Sequence, residues 1–292
     1  MVAVEQLTVQ LFNGVILGLI FVLIASGLSL IFGVLGVINF AHGDLLVLGT
    51  YTAWAVSEAT GSFLLGLAAA LVAVAAVGLF IERSMLRFTY TRSPILQFLL
   101  TLGIAEILRE GVQIIWGRRN KIFALPEWGT GSVDLILFTY PVYRLFVIAV
   151  TLLILLGLYL FLNRTDTGIV IRAASNDRDM TSALGINVDR MFTVVFVLGA
   201  ALAGTAGALI GPIRSVSPTL GVDLLIPSFV VVIIGGLGSL RGSIIGGLIV
   251  GQILVLSSVF FSGLGRVLVF AGMAVVLLLR PRGLFGKEGM FD

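Results

Sequence analysis

Ile38-Asn39-Phe40-Ala41-His42-Gly43-Asp44 holds the only histidine of the 292-residue chain, set between an amide and a carboxylate. Uncharged, largely apolar sequence runs up to it from Gln6 and away from it through Leu45 to Ser57. A polar cluster with hydrocarbon-like sequence on both sides must find partners or line a wet cavity, because an unsatisfied polar group in lipid is costly. The question for the remainder of the chain is what encloses this segment.

Composition answers first. Hydrophobic residues make up 59% and charged residues only 11%, with a mean hydropathy of +1.15, whereas soluble domains are about one quarter charged. So few charges cannot cover a water-soluble fold of this size, and the chain reads as an all-α polytopic membrane protein. At roughly 20 apolar residues per span, the length allows about eight or nine helices, some short or broken. The absence of cysteine excludes disulfides and thiolate metal sites, and one histidine gives no basis for a metal centre. A net charge of +3 offers nothing to nucleic acid. No basic region opens the chain before Gln6, so the first span is expected to act as its own targeting signal.

In chain order, spans are expected at about Leu7–Phe32, Val37–Val56, Phe63–Ile81, Ile95–Trp116, Tyr143–Leu162 and Met191–Ile210. The final apolar block, 224–279, is broken at 235–242 and 262–266 into a short helix and two full ones. The 117–141 loop is hydrophilic. Gly14 and Gly18 form a G-x-x-x-G pair, and Gly199, Ala203, Gly207 and Gly211 form a small-residue ridge, both suited to close helix contact in lipid. Glu106 and Arg109 are three residues apart and pair along one helical face. Nine spans sort the basic residues unequally. Arg83, Arg87, Arg92, Arg164, Arg172, Arg178, Arg190, Arg241, Arg280, Arg282 and Lys287 fall on one side. Arg118, Arg119, Lys121, Arg144, Arg214 and Arg266 fall on the other. Eleven against six makes the first side cytoplasmic, with the N-terminus outside and the C-terminus inside.

Three segments are candidates for function. The 39–44 segment is either a capped helix start, with Asn39 as N-cap, or a broken membrane helix whose polar groups Asn39 and His42, with Gly43, face a path for solute. A hydrolase triad is excluded because no G-x-S-x-G nucleophile motif accompanies His42. The glycine-rich break at about 235–247 lacks the Lys-Ser/Thr that closes a phosphate loop. Gly235, Gly236, Gly238 and Ser239 are expected to turn between half-helices, with Gly238, Gly242 and Gly246 repeating at helix spacing. The polar stretch of about 163–190 contains one short helix, 173–186, ending at Gly185. Its mixed charges suit docking of a soluble protein.

Together "INFAHGD", "IRAASNDRDMTSALGINVDR", "VVVIIGGLGSLRGSIIGG" and "RPRGLFG" resemble the shorter of the two membrane permeases of ABC importers for branched-chain amino acids, a family related to the ribose-type permeases. The resemblance covers nearly the whole chain and makes 1–292 a single transmembrane permease domain in a cell membrane. It implies an extracytoplasmic solute-binding protein and a second, related permease or a second copy of this one. It also implies two cytoplasmic ATPases, which hold the ATP and magnesium; no cofactor is expected in this chain, and it is not an enzyme. By the same resemblance Arg172, Ala173, Asp177, Ala183, Leu184, Gly185 and Ile186 belong to the helix that couples to an ATPase. Relatives import urea, short amides or aromatic acids, and Asp44 stands where a glutamate often follows "AHG". The competing class is a proton-driven secondary transporter, for which Asp44, Glu106 and Glu110 are the titratable candidates.

Overall fold

The computed structural model describes residues 2–135, 138–261 and 263–286. Ser262 of the last break and Lys287 of the basic count lie outside the described residues.

The described residues form eleven α-helices and one two-stranded hairpin. Nine of the helices make the membrane bundle. Five are apolar enough and long enough to cross a bilayer: α1 (Val2–Leu35), α3 (Phe63–Ser84), α5 (Val142–Arg164), α8 (Val188–Ile210) and α10 (Leu240–Phe260). Two carry charge inside, α2 (His42–Thr60) and α4 (Pro94–Trp116), and two are short, α9 (Leu220–Gly235) and α11 (Gly265–Leu279). The remaining pair, α6 (Asp166–Asn176) and α7 (Arg178–Ala183), stand outside the bundle between α5 and α8.

Glycine sets how closely the central helices approach. α1 packs most extensively on α10, because a Cβ on Gly18 would sit 3.0 Å from the Gly247 carbonyl. Gly27 faces Gly199 in the same way where α1 meets α8, Gly207 lets α8 lie against α2, and Gly204 lets it lie against Val74 of α3. The expected Gly14/Gly18 pair and the Gly199–Gly211 ridge are therefore packing surfaces inside the chain.

The break after α1 differs from the expected loop. Gly36 turns the chain in the left-handed region (φ 70), and α2 does not start until His42, five residues later than expected. Asn39 is not the N-cap; Ala41 is, and the Asn39 Oδ1 accepts the Ala41 N–H at 3.0 Å. His42 lies alongside Ile24, eleven residues before the end of α1, or about 16 Å at 1.5 Å per residue. α2 thus begins within the bundle, reached by extended chain.

α9 repeats this arrangement in the opposite direction. The starts of α2 and α9 abut, Gly43 against the Gly221 carbonyl, where a Cβ would lie 2.8 Å away. Asp44 in the first turn of α2 pairs with Arg109 of α4, and Asp223 in the first turn of α9 pairs with Arg266 of α11. At their far ends α2 closes with Gly61 before the α3 cap Ser62, and α9 closes with Gly236 before the α10 cap Ser239. α1 packs on α10 while α3 packs on α8. α1–α4 and α8–α11 are two halves of opposed direction. The segment that meets 42–44 is 220–223, not the glycine-rich break at 235–247, because both broken helices bring their N-terminal ends to the middle.

Contacts sort the loops onto two ends. At one end the hairpin, β1 (Ser132–Leu135) paired antiparallel with β2 (Phe138–Pro141), bonds to Asn13 of α1 through Tyr140, and Arg144 of α5 donates to the same Asn13 oxygen. Lys121 bridges Val216 there, and Phe63 packs on Trp128 and Tyr143. The hairpin is the exception to an all-helical chain; Phe138 and Tyr140 are buried between exposed Thr139 and Pro141. At the other end Arg87 pairs with Asp189, and the amides of Leu284 and Phe285 bond to the carbonyls of Ile234 and Gly235.

Candidate translocation site and coupling surface

The α2 start is held by polar groups turned inward. His42 is fully buried, and its Nε2 donates to the Ile24 carbonyl at 3.1 Å. Asn39 is 1% exposed. Neither lines the cavity between α1, α5, α6 and α10. The His42 bond pins the unwound segment to the middle of α1, whereas the Asn39 bond to Ala41 is internal to that segment, and the Asn39 amide nitrogen and His42 Nδ1 are buried without a partner among the described residues. Gly43, expected beside them, is the contact with Gly221 that brings the two broken helices together.

Asp44 is nearly buried, and both of its oxygens accept from Arg109, from Nε and Nη2 at 3.1 Å each. Arg109 Nη1 also donates to Glu106 at 2.8 Å. The Glu106–Arg109 pair was legible from spacing; its third member Asp44 was not, because it lies 65 residues away. One guanidinium between candidate carboxylates on two apolar spans was the available signal.

A cavity of about 420 Å³ opens between α1, α5, α6 and α10. Its wall is mostly apolar, from Leu30, Leu155, Leu158 and Ile244, with Ser26 and Ser29 on α1 and Arg172 and Arg241 towards the loop end. Gly238 and Ser239 contribute to it; Gly235 and Gly236 do not. Gly235 instead packs on Gly242, and Gly236 on Gly286 of the tail. Gly238 is a turn residue (φ 77) rather than part of a helical glycine row, and its backbone touches Gly33.

The 163–190 stretch forms two helices where one was expected. Asp177 is extended (φ −150), and its side chain caps α7 by accepting from Met180 N–H at 2.8 Å, which ends α6 at Asn176. Gly185 follows α7 in the left-handed region (φ 80), as a helix stop does. Arg172 of α6 donates to the Leu162 carbonyl and to Asn163, fastening α6 to the end of α5. Ala173, Asp177, Ala183, Leu184 and Gly185 are exposed, and Ile186 is half-buried. Met180 and Leu184 present apolar surface at 60% and 74% exposure.

Behind this surface, buried Glu82 of α3 accepts from Tyr90 at 3.0 Å and from Thr193 of α8 at 2.8 Å. Burial first, and then the Glu82 carboxylate, push the Tyr90 phenol well above its ordinary range, so it stays a donor. Arg178 of α7 stacks over Phe192, 4.6 Å from the ring centroid, and Tyr90 packs edge-on against the same ring. These contacts link α7 to α8 through Phe192 and to α3 through Tyr90 and Glu82.

Residues 10–278 match the family described as "Branched-chain amino acid transport system / permease component". The chain belongs to that family. This permease is 34% identical over 294 residues to the high-affinity branched-chain amino acid transport system permease protein LivH of Escherichia coli K12, covering 95% of each chain. It is 31% identical over 296 residues to BraD of Pseudomonas aeruginosa, a permease protein of the same description, again over 95% of each. A shorter match, 39% over 121 residues, links it to the fructose import permease FrcC of Rhizobium meliloti, covering 39% of this chain and 32% of that one. The permease is a multi-pass membrane protein and a transport component of the ABC type, not an enzyme.

Proposed function

We propose that this permease carries branched-chain amino acids across the cell membrane as one half of an ATP-driven import pore, receiving them from an extracytoplasmic binding protein. The observation that carries the reading is the similarity along nearly the full chain to permeases named for that transport. The chain acts as a single permease domain, with 163–190 as its coupling loop and 235–247 as its glycine turn. Two cytoplasmic ATPases hydrolyse ATP with magnesium, and a second permease completes the pore.

The basic residues support the orientation. Of the described ones, Arg83, Arg87, Arg92, Arg164, Arg172, Arg178, Arg190, Arg241, Arg280 and Arg282 gather at the end bearing α6 and α7. Arg118, Arg119, Lys121, Arg144, Arg214 and Arg266 belong to the hairpin end, and Arg109 lies within α4. The α6–α7 end is cytoplasmic, the N-terminus outside and the C-terminus inside. An ATPase then seats on α6–α7, with Leu184 and Met180 as its apolar contacts and Arg172 holding α6 to α5. Closure of the ATPase pair moves α7, and the Glu82–Tyr90–Thr193 bonds carry the movement into α3 and α8. The abutting broken helices at Gly43 and Gly221 are the hinge, with Asn39 and His42 fixing one arm. Gly238 and Ser239 border the cytoplasmic opening through which solute leaves.

The test is uptake of labelled leucine by proteoliposomes holding the complete importer. Excess isoleucine or valine is expected to suppress it, and urea, acetamide or benzoate to leave it unchanged. Suppression by the second group alone would overturn the substrate assignment.

A further inference from the structure

α4 is 23 residues long, or about 34 Å at 1.5 Å per residue, with Glu106 near its midpoint. Within this chain it packs chiefly on α2. Leu96, Leu99, Gly103, Glu106, Glu110 and Gln113 follow one another at intervals of three and four residues, so they lie along one line of the helix. That line points away from the bundle. Glu106 and Glu110 expose 58% and 53% of their side chains, and a Cβ on Gly103 would meet nothing within 4 Å.

A carboxylate at the middle of a membrane helix does not face lipid; it faces a partner or water. Apolar Leu102, Ile107 and Ile114 flank the line and are exposed as well, so lipid meets the edges and something else meets the centre. The 3–4 spacing is that of a helix–helix seam, and an open glycine in the seam lets a second helix come close. Charge identifies the partner further. Asp44 and Glu106 share one guanidinium, Arg109, while Glu110 accepts from Gln113 at 3.1 Å and is approached by Arg118 only to 3.8 Å from beyond the helix end. The surface therefore carries excess negative charge at membrane depth. A second copy of this chain would set the same carboxylates against one another across a two-fold axis.

We propose that the outward face of α4 is the seam on which the second permease packs, and that its facing helix presents cationic or amide donor groups to Glu106 and Glu110. This rests on the proposed function for the existence of that permease, and it adds where the partner sits and what chemistry it brings.

The experiment is co-purification of the second permease with this one from membranes expressing the complete importer. Glu106→Lys is expected to lower recovery of the second permease at least tenfold and Glu106→Asp to leave it near wild type, while Leu153→Lys on exposed α5 leaves it unchanged. A photo-reactive amino acid at Leu99 or Gln113 should form an adduct with the second permease, and one at Leu153 should not. Since the chain has no cysteine, Gly103→Cys gives a unique thiol, expected to be shielded from a membrane-impermeant reagent in the complex. Full recovery with Glu106→Lys, adducts joining two copies of this chain, or rapid labelling at position 103 would each overturn the proposal. A wild-type chain that recovers no second permease would overturn the proposed function and this inference with it. Loss of leucine specificity with assembly intact would overturn only the substrate assignment.

Discussion

Replacing Arg109 with methionine keeps most of the side-chain volume and removes the guanidinium from Asp44. The Asp44 side chain is 3% exposed and receives two bonds of 3.1 Å from that one group. Water cannot take over, so the variant holds an uncompensated charge at depth. Removing one partner of a buried pair costs about 3–5 kcal/mol, a large share of the roughly 5–15 kcal/mol that stabilises a typical protein. The counterpart in the other half provides the control. Asp223 and Arg266 are joined at 2.8 Å, but their side chains are 47% and 75% exposed, and an exposed pair is worth about 0–1 kcal/mol. Arg109→Met should therefore unfold at clearly lower temperature than wild type in detergent, and Arg266→Met at nearly the same temperature. Adding Asp44→Asn to Arg109→Met should restore about 1–3 kcal/mol, as expected of groups in direct contact. The reasoning fails if the two arginine variants lose equal stability, or if the double variant is no better than Arg109→Met.

Three further outcomes are expected. Gly207→Leu forces a side chain into the Leu46 carbonyl and Thr50, which it would meet on α2, and should abolish recovery of folded protein; Gly157→Ala on α5, with open space around it, should be neutral or slightly stabilising in the same thermal scan. His42→Leu removes the imidazole donor to the Ile24 carbonyl and should cost about 0.5–1.5 kcal/mol, measured by thermal unfolding, with the affinity for solute unchanged in uptake assays. Leu184→Asp on the exposed end of α7 should cut ATP-driven uptake at least tenfold while the purified chain unfolds at the wild-type temperature.

Helices that obey hydropathy and glycine spacing were legible from the chain alone. The ends of α3, α4 and α5 fall within a few residues of expectation because charges or proline mark them, at Glu82-Arg83, Pro94 and Arg164. The start of α2 was not legible, since a fully apolar stretch such as 33–38 reads the same whether it is helical or unwound. Its depth depends on His42 reaching Ile24, a contact between segments. The same limit hid the junction of Gly43 with Gly221: two glycines 178 residues apart carry no mark of their meeting. Asn39 and His42 were singled out by their rarity in apolar sequence, and both are buried at the start of α2. Polarity at membrane depth does not tell which atoms meet a backbone group: His42 Nε2 meets the Ile24 carbonyl, while Asn39 Nδ2 and His42 Nδ1 meet no partner among the described residues. Splitting of 173–186 into two helices turns on one capping aspartate, and Asp177 was seen there as charge rather than as a stop.

The most direct measurement sets ATP against the proton gradient. Proteoliposomes containing this chain, the second permease, two ATPases and the binding protein are given labelled leucine with ATP and magnesium inside and a protonophore present. Accumulation that requires ATP and the binding protein and ignores the protonophore is the result expected. Accumulation that proceeds without ATP and collapses with the proton gradient would contradict it, and would move attention to Asp44, Glu106 and Glu110 as titrating groups.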